Sequence, residues 1–204
     1  MTLVKLCGLM REEDAAAANE AGPDLAGVIL SPGFRRTVSH ETARAIRNTL
    51  QETIPLCGVF VNAELEEILS CVRAGLIDAV QLHGSEDNTY IDALHQAVPG
   101  VSVIKAFLIH TPEDIQNANA SHADLVLLDG GTGEGKGFDH PLTEGIRRPY
   151  LLAGGLNPEN IAEAVQSFHP YGVDTSSGIE TDRMKDPVKM KRFVETVRTE
   201  DNTQ

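Results

Sequence analysis

Eight short apolar runs alternate with helix-like segments along the 204 residues, and this alternation constrains the fold more than any other feature. The runs are Leu3–Cys7, Leu25–Leu30, Ile54–Val61, Asp78–Leu82, Val101–Phe107, Asp124–Asp129, Arg148–Ala153 and one ending in Gly172-Val173-Asp174. Helical stretches fall between them. Glu12 to Ala21 stops before Gly22-Pro23. Ser39 caps a segment reaching about Leu50, with Glu41 in its first turn. Glu64 to Ala74 and Asp87 to Val98 follow. Further helices start at Thr111-Pro112, with Pro in the first turn, and at Asn157-Pro158. Pro187 to Arg198 closes the series, and Thr199 to Gln204 reads as a frayed polar tail. Strands and helices alternating at this spacing predict parallel βα units. Eight such units predict an α/β fold of the (β/α)8 TIM-barrel type, as a single domain spanning 1–204. An open doubly wound sheet needs fewer units, and no GxGxxG follows the first strand.

Composition agrees with a barrel. Trp is absent and aromatic residues make up 4%, so the core must be aliphatic, as in sheets buried on both faces. Acidic residues outnumber basic ones 30 to 17, giving a net charge of -13. A chain this acidic repels phosphate backbones and anionic bilayers, which predicts no nucleic-acid partner and no membrane. No window offers the apolar length of a spanning helix, and no leader pattern precedes the first strand. These features predict a cytoplasmic protein. Cys7, Cys57 and Cys71 are an odd set without CxxC spacing, which fits neither a disulfide framework nor a zinc ribbon, and no metal site is expected.

Barrels of this type place their chemistry at the C-terminal ends of the strands. The residues there are Cys7-Gly8, Arg35-Arg36, Asn62, Gln81 to His83, Lys105, Asp129-Gly130-Gly131, Gly154-Gly155 and Asp174-Thr175-Ser176-Ser177-Gly178. Gly154 and Gly155 precede a helix start. Ser176, Ser177 and Gly178 follow the last strand, ahead of a short helix near Ile179. Backbone N–H groups at such turns cradle anions, and the seventh and eighth loops commonly hold phosphate in barrel enzymes. Taken singly, either pair also reads as an ordinary turn.

Asp129 ends an apolar strand and suits either a general acid or a loop-structuring carboxylate. Cys57 lies inside a strand and Cys71 on an apolar helix stripe, and both read as small buried residues. Cys7 stands at a rim, where a thiol can act as a base. By period two it shares a face with Lys5, which places a cation beside the thiol. Arg36 can fork onto a carboxylate, whereas Arg35 reads as a solvated surface residue. Gln81 and His83 are placed to line the pocket. Lys105 either snorkels to the rim or works in the site.

Together these segments resemble the phosphoribosylanthranilate isomerase family of tryptophan biosynthesis. The resemblance runs from Lys5-Leu6-Cys7-Gly8-Leu9 through Gly58-Val59-Phe60-Val61-Asn62 and Val80-Gln81-Leu82-His83-Gly84. It continues through Leu127-Leu128-Asp129 and Leu152-Ala153-Gly154-Gly155-Leu156-Asn157-Pro158-Glu159-Asn160. It ends with Val173-Asp174-Thr175-Ser176-Ser177-Gly178-Ile179-Glu180 and Lys185-Asp186. It implies a βα barrel that needs no cofactor and rearranges a phosphosugar aminoaldose into its ketose, as a monomer or homodimer. By position it implies Cys7 as general base, Asp129 as general acid and Arg36 as holder of the anthranilate carboxylate. Gly154, Gly155, Ser176, Ser177 and Gly178 match the phosphate clamp, and Lys5, Gln81, His83 and Asp174 are expected to line the pocket. The chain departs from the family at three places. Arg35-Arg36 lie in an unusual loop, where spacing to Val38-Ser39 favours Arg36. His140 stands where tryptophan is usual, and Thr175 replaces a commoner valine. A related histidine-pathway isomerase, or a bifunctional version, resembles a two-aspartate design, against which Cys7 argues. A non-catalytic phosphate-binding barrel would tolerate loss of Cys7 or Asp129, and both are present.

Overall fold

Burial on both faces explains why the strands read as nearly unbroken apolar runs. In the computed structural model, which describes residues 1–130 and 143–202, eight parallel strands close into a barrel in sequence order. They are β1 (Leu3–Leu6), β2 (Leu25–Ile29), β3 (Leu56–Phe60), β4 (Ala79–Leu82), β5 (Ser102–Leu108), β6 (Leu125–Asp129), β7 (Tyr150–Ala153) and β8 (Gly172–Thr175). The barrel is sealed where β8 pairs with β1, with Val4 opposite Val173 and Lys5 opposite Asp174. The described helices are α1 (Glu12–Ala21), α2 (His40–Thr49), α3 (Leu65–Arg73), α4 (Asn88–Ala97), α5 (Pro112–Asn119), α6 (Ile161–Phe168) and α7 (Pro187–Asp201). Beyond β8 the chain makes one 3₁₀ turn, Ser177–Ile179, and then a hairpin of β9 (Glu180–Thr181) and β10 (Met184–Lys185).

The two-residue period of a strand divides the core in two. Leu25, Cys57, Ala79, Ile104, Ala106, Leu127, Leu151 and Ala153 cluster inside the barrel. Val4, Leu6, Ala26, Val28, Phe60, Val80, Leu82, Val126 and Leu128 join the larger layer between sheet and helices. Each fully buried Leu or Ile there contributes about 1.5–3 kcal/mol. Helix starts follow their sequence signals. Ser39 accepts from Thr42 N at 3.0 Å, and Thr111 and Asp114 form a reciprocal capping box ahead of Pro112.

Several boundaries differ from the sequence reading. β1 ends at Leu6, although Cys7 N still donates to Thr175 O at 2.8 Å, so Cys7 extends the ladder from the loop. β3 is shorter than expected at both ends, starting at Leu56 and stopping at Phe60, beyond which Asn62 turns the chain with φ 51. β7 begins at Tyr150, opposite Val126, and ahead of it the Arg148 guanidinium binds the carbonyls of Ser121 and Ala123. The expected frayed tail from Thr199 is instead helical to Asp201. The Asp201 carboxylate accepts from Thr2 N at 2.8 Å and from Thr2 Oγ1 at 2.7 Å. Arg198 completes this tie, reaching Thr2 O and the Asp24 carboxylate, each at 2.7 Å. His140 lies outside the described residues. No described helix is long and apolar enough to cross a membrane.

Candidate active site

The C-terminal ends of the strands surround a pocket of about 290 Å³. Among the residues expected there, Cys7, Arg36, Gln81, His83, Asp129, Gly154, Gly155, Asp174, Ser176 and Ser177 line it. Residues from both ends of the chain meet in this pocket because β1 and β8 are neighbours. Gly178 and Lys5 stand apart from the lining. Gly178 packs where a Cβ would sit 1.9 Å from Leu156 O, so it lets the β8 loop close against the β7 loop. Thr175 Oγ1 donates to the same carbonyl at 2.7 Å. Gly154 and Gly155 have φ of 104 and 68, conformations that favour glycine. A Cβ on Gly154 would lie 2.9 Å from Asp129 Oδ1, so the β6 and β7 loops are also in close contact.

Lys5 was expected in the lining, and the structure places it beneath the pocket, with 0% exposure. The reason is Asp174, whose Oδ1 accepts from Lys5 Nζ at 2.7 Å across the β1–β8 seam. Burial disfavours the ammonium, but Asp174 and the thiols of Cys7 and Cys57 outweigh it and hold Lys5 above the ordinary lysine range. A Cβ built on Gly27 would sit 2.9 Å from Cys7 Sγ and 3.3 Å from Lys5 Nζ. The absent side chain on β2 is therefore the space that thiol and ammonium share. Cys57 is fully buried, and burial pushes its thiol up to about 12, consistent with an inert core residue. Cys71 is also buried, with its sulfur 3.6 Å from His40 Nε2.

On β4, Gln81 Nε2 lies 3.1 Å from His83 Nδ1. Burial pushes the imidazole down from its usual value despite the nearby Asp129 and Asp174 charges, so the ring is neutral near pH 7. With the amide nitrogen donating, the ring proton sits on Nε2, the atom 3.7 Å from Asp129 Oδ2. Gln81 Oε1 is buried without a hydrogen-bond partner among the described residues.

Arg36 Nε donates to Glu180 Oε1 at 2.6 Å, and its Nη2 to Oε2 at 3.2 Å. Arg35 is exposed, as expected, and is also paired. Its Nη2 donates to Glu180 Oε2 and its Nη1 to Arg183 O. Lys185 Nζ donates to Glu180 Oε1 at 3.1 Å and to Ser176 O at 2.8 Å. Burial alone would raise Glu180, but the Arg36 hydrogen bond and the Lys185 charge outweigh it and hold the carboxyl at about 2. In a chain of net charge -13 these cations form a local positive field at the β2 and β8 loops. Residue-by-residue reading gave Glu180 and Lys185 no role; the short turn between them, Asp182-Arg183, was the available signal.

Lys105 leaves the site altogether. It points to the outer face of β5 and donates to Gly84 O at 2.6 Å and to Glu86 Oε2 at 3.2 Å. Glu86 in turn accepts from Asn62 N and Gly84 N, tying together the ends of β3, β4 and β5. Among the described residues no group of three His, Cys, Asp or Glu is placed to hold a metal ion.

The sequence model of N-(5'phosphoribosyl)anthranilate (PRA) isomerase matches residues 4–196. An N-(5'-phosphoribosyl)anthranilate isomerase of Endomicrobium trichonymphae is 42% identical over 203 residues, covering 97% of this chain and 98% of the relative. The crystal structure of phosphoribosyl anthranilate isomerase from Thermotoga maritima superposes with a TM-score of 0.86 at 35% identity, covering 98% of this chain and 100% of the other. A crystal structure of such an isomerase in complex with reduced 1-(o-carboxyphenylamino)-1-deoxyribulose 5-phosphate superposes with a TM-score of 0.85 at 33% identity, covering 98% and 100%. With a match that spans nearly every strand and loop described above, the chain belongs to the N-(5'-phosphoribosyl)anthranilate isomerase family.

Proposed function

We propose that this barrel isomerises N-(5'-phosphoribosyl)anthranilate to 1-(o-carboxyphenylamino)-1-deoxyribulose 5-phosphate, an Amadori rearrangement in tryptophan biosynthesis. The observation that carries this reading is one pocket lined by a thiol, a carboxyl group, an arginine and two Gly/Ser loops. The substrate offers a partner for each: an acidic C–H at C2, a ring oxygen, a benzoate and a phosphate. The family supplies the identity of the reaction, and the product analogue bound to a related barrel has the same chemical parts.

Asp129 is the general acid. It protonates the furanose ring oxygen while the anthranilate nitrogen pushes the C1–O bond open to an iminium. His83 Nε2–H faces the carboxylate that remains and eases its charge. Cys7, as thiolate, then removes the proton from C2 and leaves an enolamine. Proton return to C1 and loss of the enol O–H proton give the ketone, with no net change in protons or electrons. One acid and one base suffice, each worth about 10²–10⁴-fold, and no cofactor enters the step. Arg36 holds the benzoate by charge-assisted hydrogen bonds. Backbone N–H groups of the Gly154-Gly155 and Ser176-Ser177 turns hold the phosphate.

The test is purified protein with N-(5'-phosphoribosyl)anthranilate, following the loss of anthranilate-type fluorescence, with the histidine-pathway aminoaldose as control substrate. Cys7→Ser and Asp129→Asn should each abolish turnover while leaving substrate affinity nearly intact, because each acts in the transition state. Turnover of the control alone, or an unchanged kcat in either variant, refutes the assignment.

A further inference from the structure

We propose that Glu180 is the positioning residue of the pocket's carboxylate subsite, and that it dictates which edge of Arg36 meets the substrate. This rests on the reading of Arg36 as the benzoate holder. A guanidinium carries five N–H groups in a planar fork. Glu180 takes two of them, on Nε and Nη2, and so occupies the side edge of the plane. One Nη1 hydrogen and the second Nη2 hydrogen lie along the end edge, the other Nη1 hydrogen points back towards the stem, and Arg36 lines the pocket. A benzoate carboxylate therefore binds end-on, through Nη1 and Nη2, while Glu180 remains in place. Two carboxylates share one guanidinium on separate edges, as its fork geometry allows.

A second, independent feature fixes the stem of the same side chain. A Cβ on Gly8 would sit 2.7 Å from Arg36 Cδ and 2.9 Å from Ser176 Oγ. Gly8, with φ 75, lets the arginine stem run tightly across the base of the β1 loop. Stem and head are thus held from opposite directions. Glu180 is itself anchored. Its side chain is 7% exposed, Lys185 and Arg35 share its oxygens, and its backbone carbonyl accepts from Lys189 Nζ at 2.7 Å. Because Lys185 also bonds Ser176 O, the carboxylate couples the arginine to the loop assigned to phosphate. Three cations around a single carboxylate leave the cluster positive, so Glu180 orients the fork without cancelling its pull on an anion.

The experiment compares two substrates, N-(5'-phosphoribosyl)anthranilate and N-(5'-phosphoribosyl)aniline, which lacks the benzoate. KM and kcat are measured for the wild type, Glu180→Gln, Arg36→Met and the double variant. Glu180→Gln should raise KM for the anthranilate sugar roughly tenfold, the scale of a displaced charged hydrogen bond, with a smaller change in kcat. KM for the aniline sugar should change less than about twofold, and the double variant should be no worse than Arg36→Met. Glu180→Asp retains the charge but draws it back by one methylene. It should show the same selective rise, and it replaces Glu180→Gln if that variant fails to fold by circular dichroism. Equal losses on both sugars would mean that Glu180 only supports the loops, and would overturn the proposal. A lower KM in Glu180→Gln would mean that it competes with the benzoate for the fork, which would overturn the proposal too. If Arg36→Met leaves KM unchanged for both sugars, the assignment of Arg36 itself fails. If Arg36→Met is selective and Glu180→Gln is not, only the positioning role fails.

Discussion

Lys5→Met is the most demanding test of how the barrel floor is held together. The substitution keeps a long unbranched side chain, so little cavity is created. What it removes is the ammonium 2.7 Å from Asp174 Oδ1, in a pair whose side chains are 0% and 11% exposed. Removing one partner of a buried ion pair costs about 3–5 kcal/mol, because the other charge stays buried without it. For a chain of this length each kcal/mol corresponds to about 2–4 °C, so the melting temperature should fall by about 6–20 °C. Lys5→Met/Asp174→Asn should recover much of that loss, since a neutral pair buries no charge. Urea unfolding followed by circular dichroism gives both numbers and their coupling. The pH dependence has a definite sign. A lysine raised by its partners contributes fully below its unfolded value, and that contribution is lost only as pH rises through the folded one. The deficit of Lys5→Met should therefore be flat from about pH 6 to 9. A loss below about 1 kcal/mol, or a double variant less stable than Lys5→Met, refutes the reasoning.

Three further outcomes follow from the loops above the pocket. Gly178→Ala puts a Cβ 1.9 Å from Leu156 O, so the β7 or β8 loop must yield by roughly 1 Å; kcat/KM should fall about 100-fold in steady-state assays, and an unchanged value would show that the loops are compliant. Glu180 is depressed from 4.5 to about 2, so its contribution, of the order of 3 kcal/mol, is present above pH 4.5 and lost as pH falls towards 2. Urea midpoints should drop through that window in the wild type and less so in Glu180→Gln; parallel curves would contradict this. Arg183→Gly should raise the melting temperature by about 2–8 °C in calorimetry, because Arg183 has φ 67 in a two-residue turn where glycine removes a cost of roughly 1–2 kcal/mol. No gain would mean that the arginine side chain offsets its own strain.

The sequence carried different parts of this structure unequally. Strand–helix alternation was legible because each βα unit is local. Period two put Lys5 on the inner face with Cys7, and the Gly27 contacts agree. The same rule failed to sort Lys105. Its neighbours Val103 and Ile104 are both apolar, since β5 is buried on both faces, and the pattern then holds no record of which side is inside. Pairings across the chain were not legible at all. Glu180 meets Arg36 and Thr2 meets Asp201 through the closure of the barrel, which no window along the sequence samples. The frayed reading of Thr199 fell short for this reason.

The seam between β1 and β8 has a consequence for how the protein comes into being. Cys7 is held by a ladder bond to Thr175, while Asp174, Ser176 and Glu180 all follow on the far side of that seam. During translation at about 5–20 residues per second, the thiol emerges roughly ten to thirty seconds before the strand that completes its surroundings. Throughout that interval a growing chain has the thiol but no barrel to put it in. Turnover is therefore a property of finished molecules alone, and appearance of activity during synthesis or refolding times the closing of the ring.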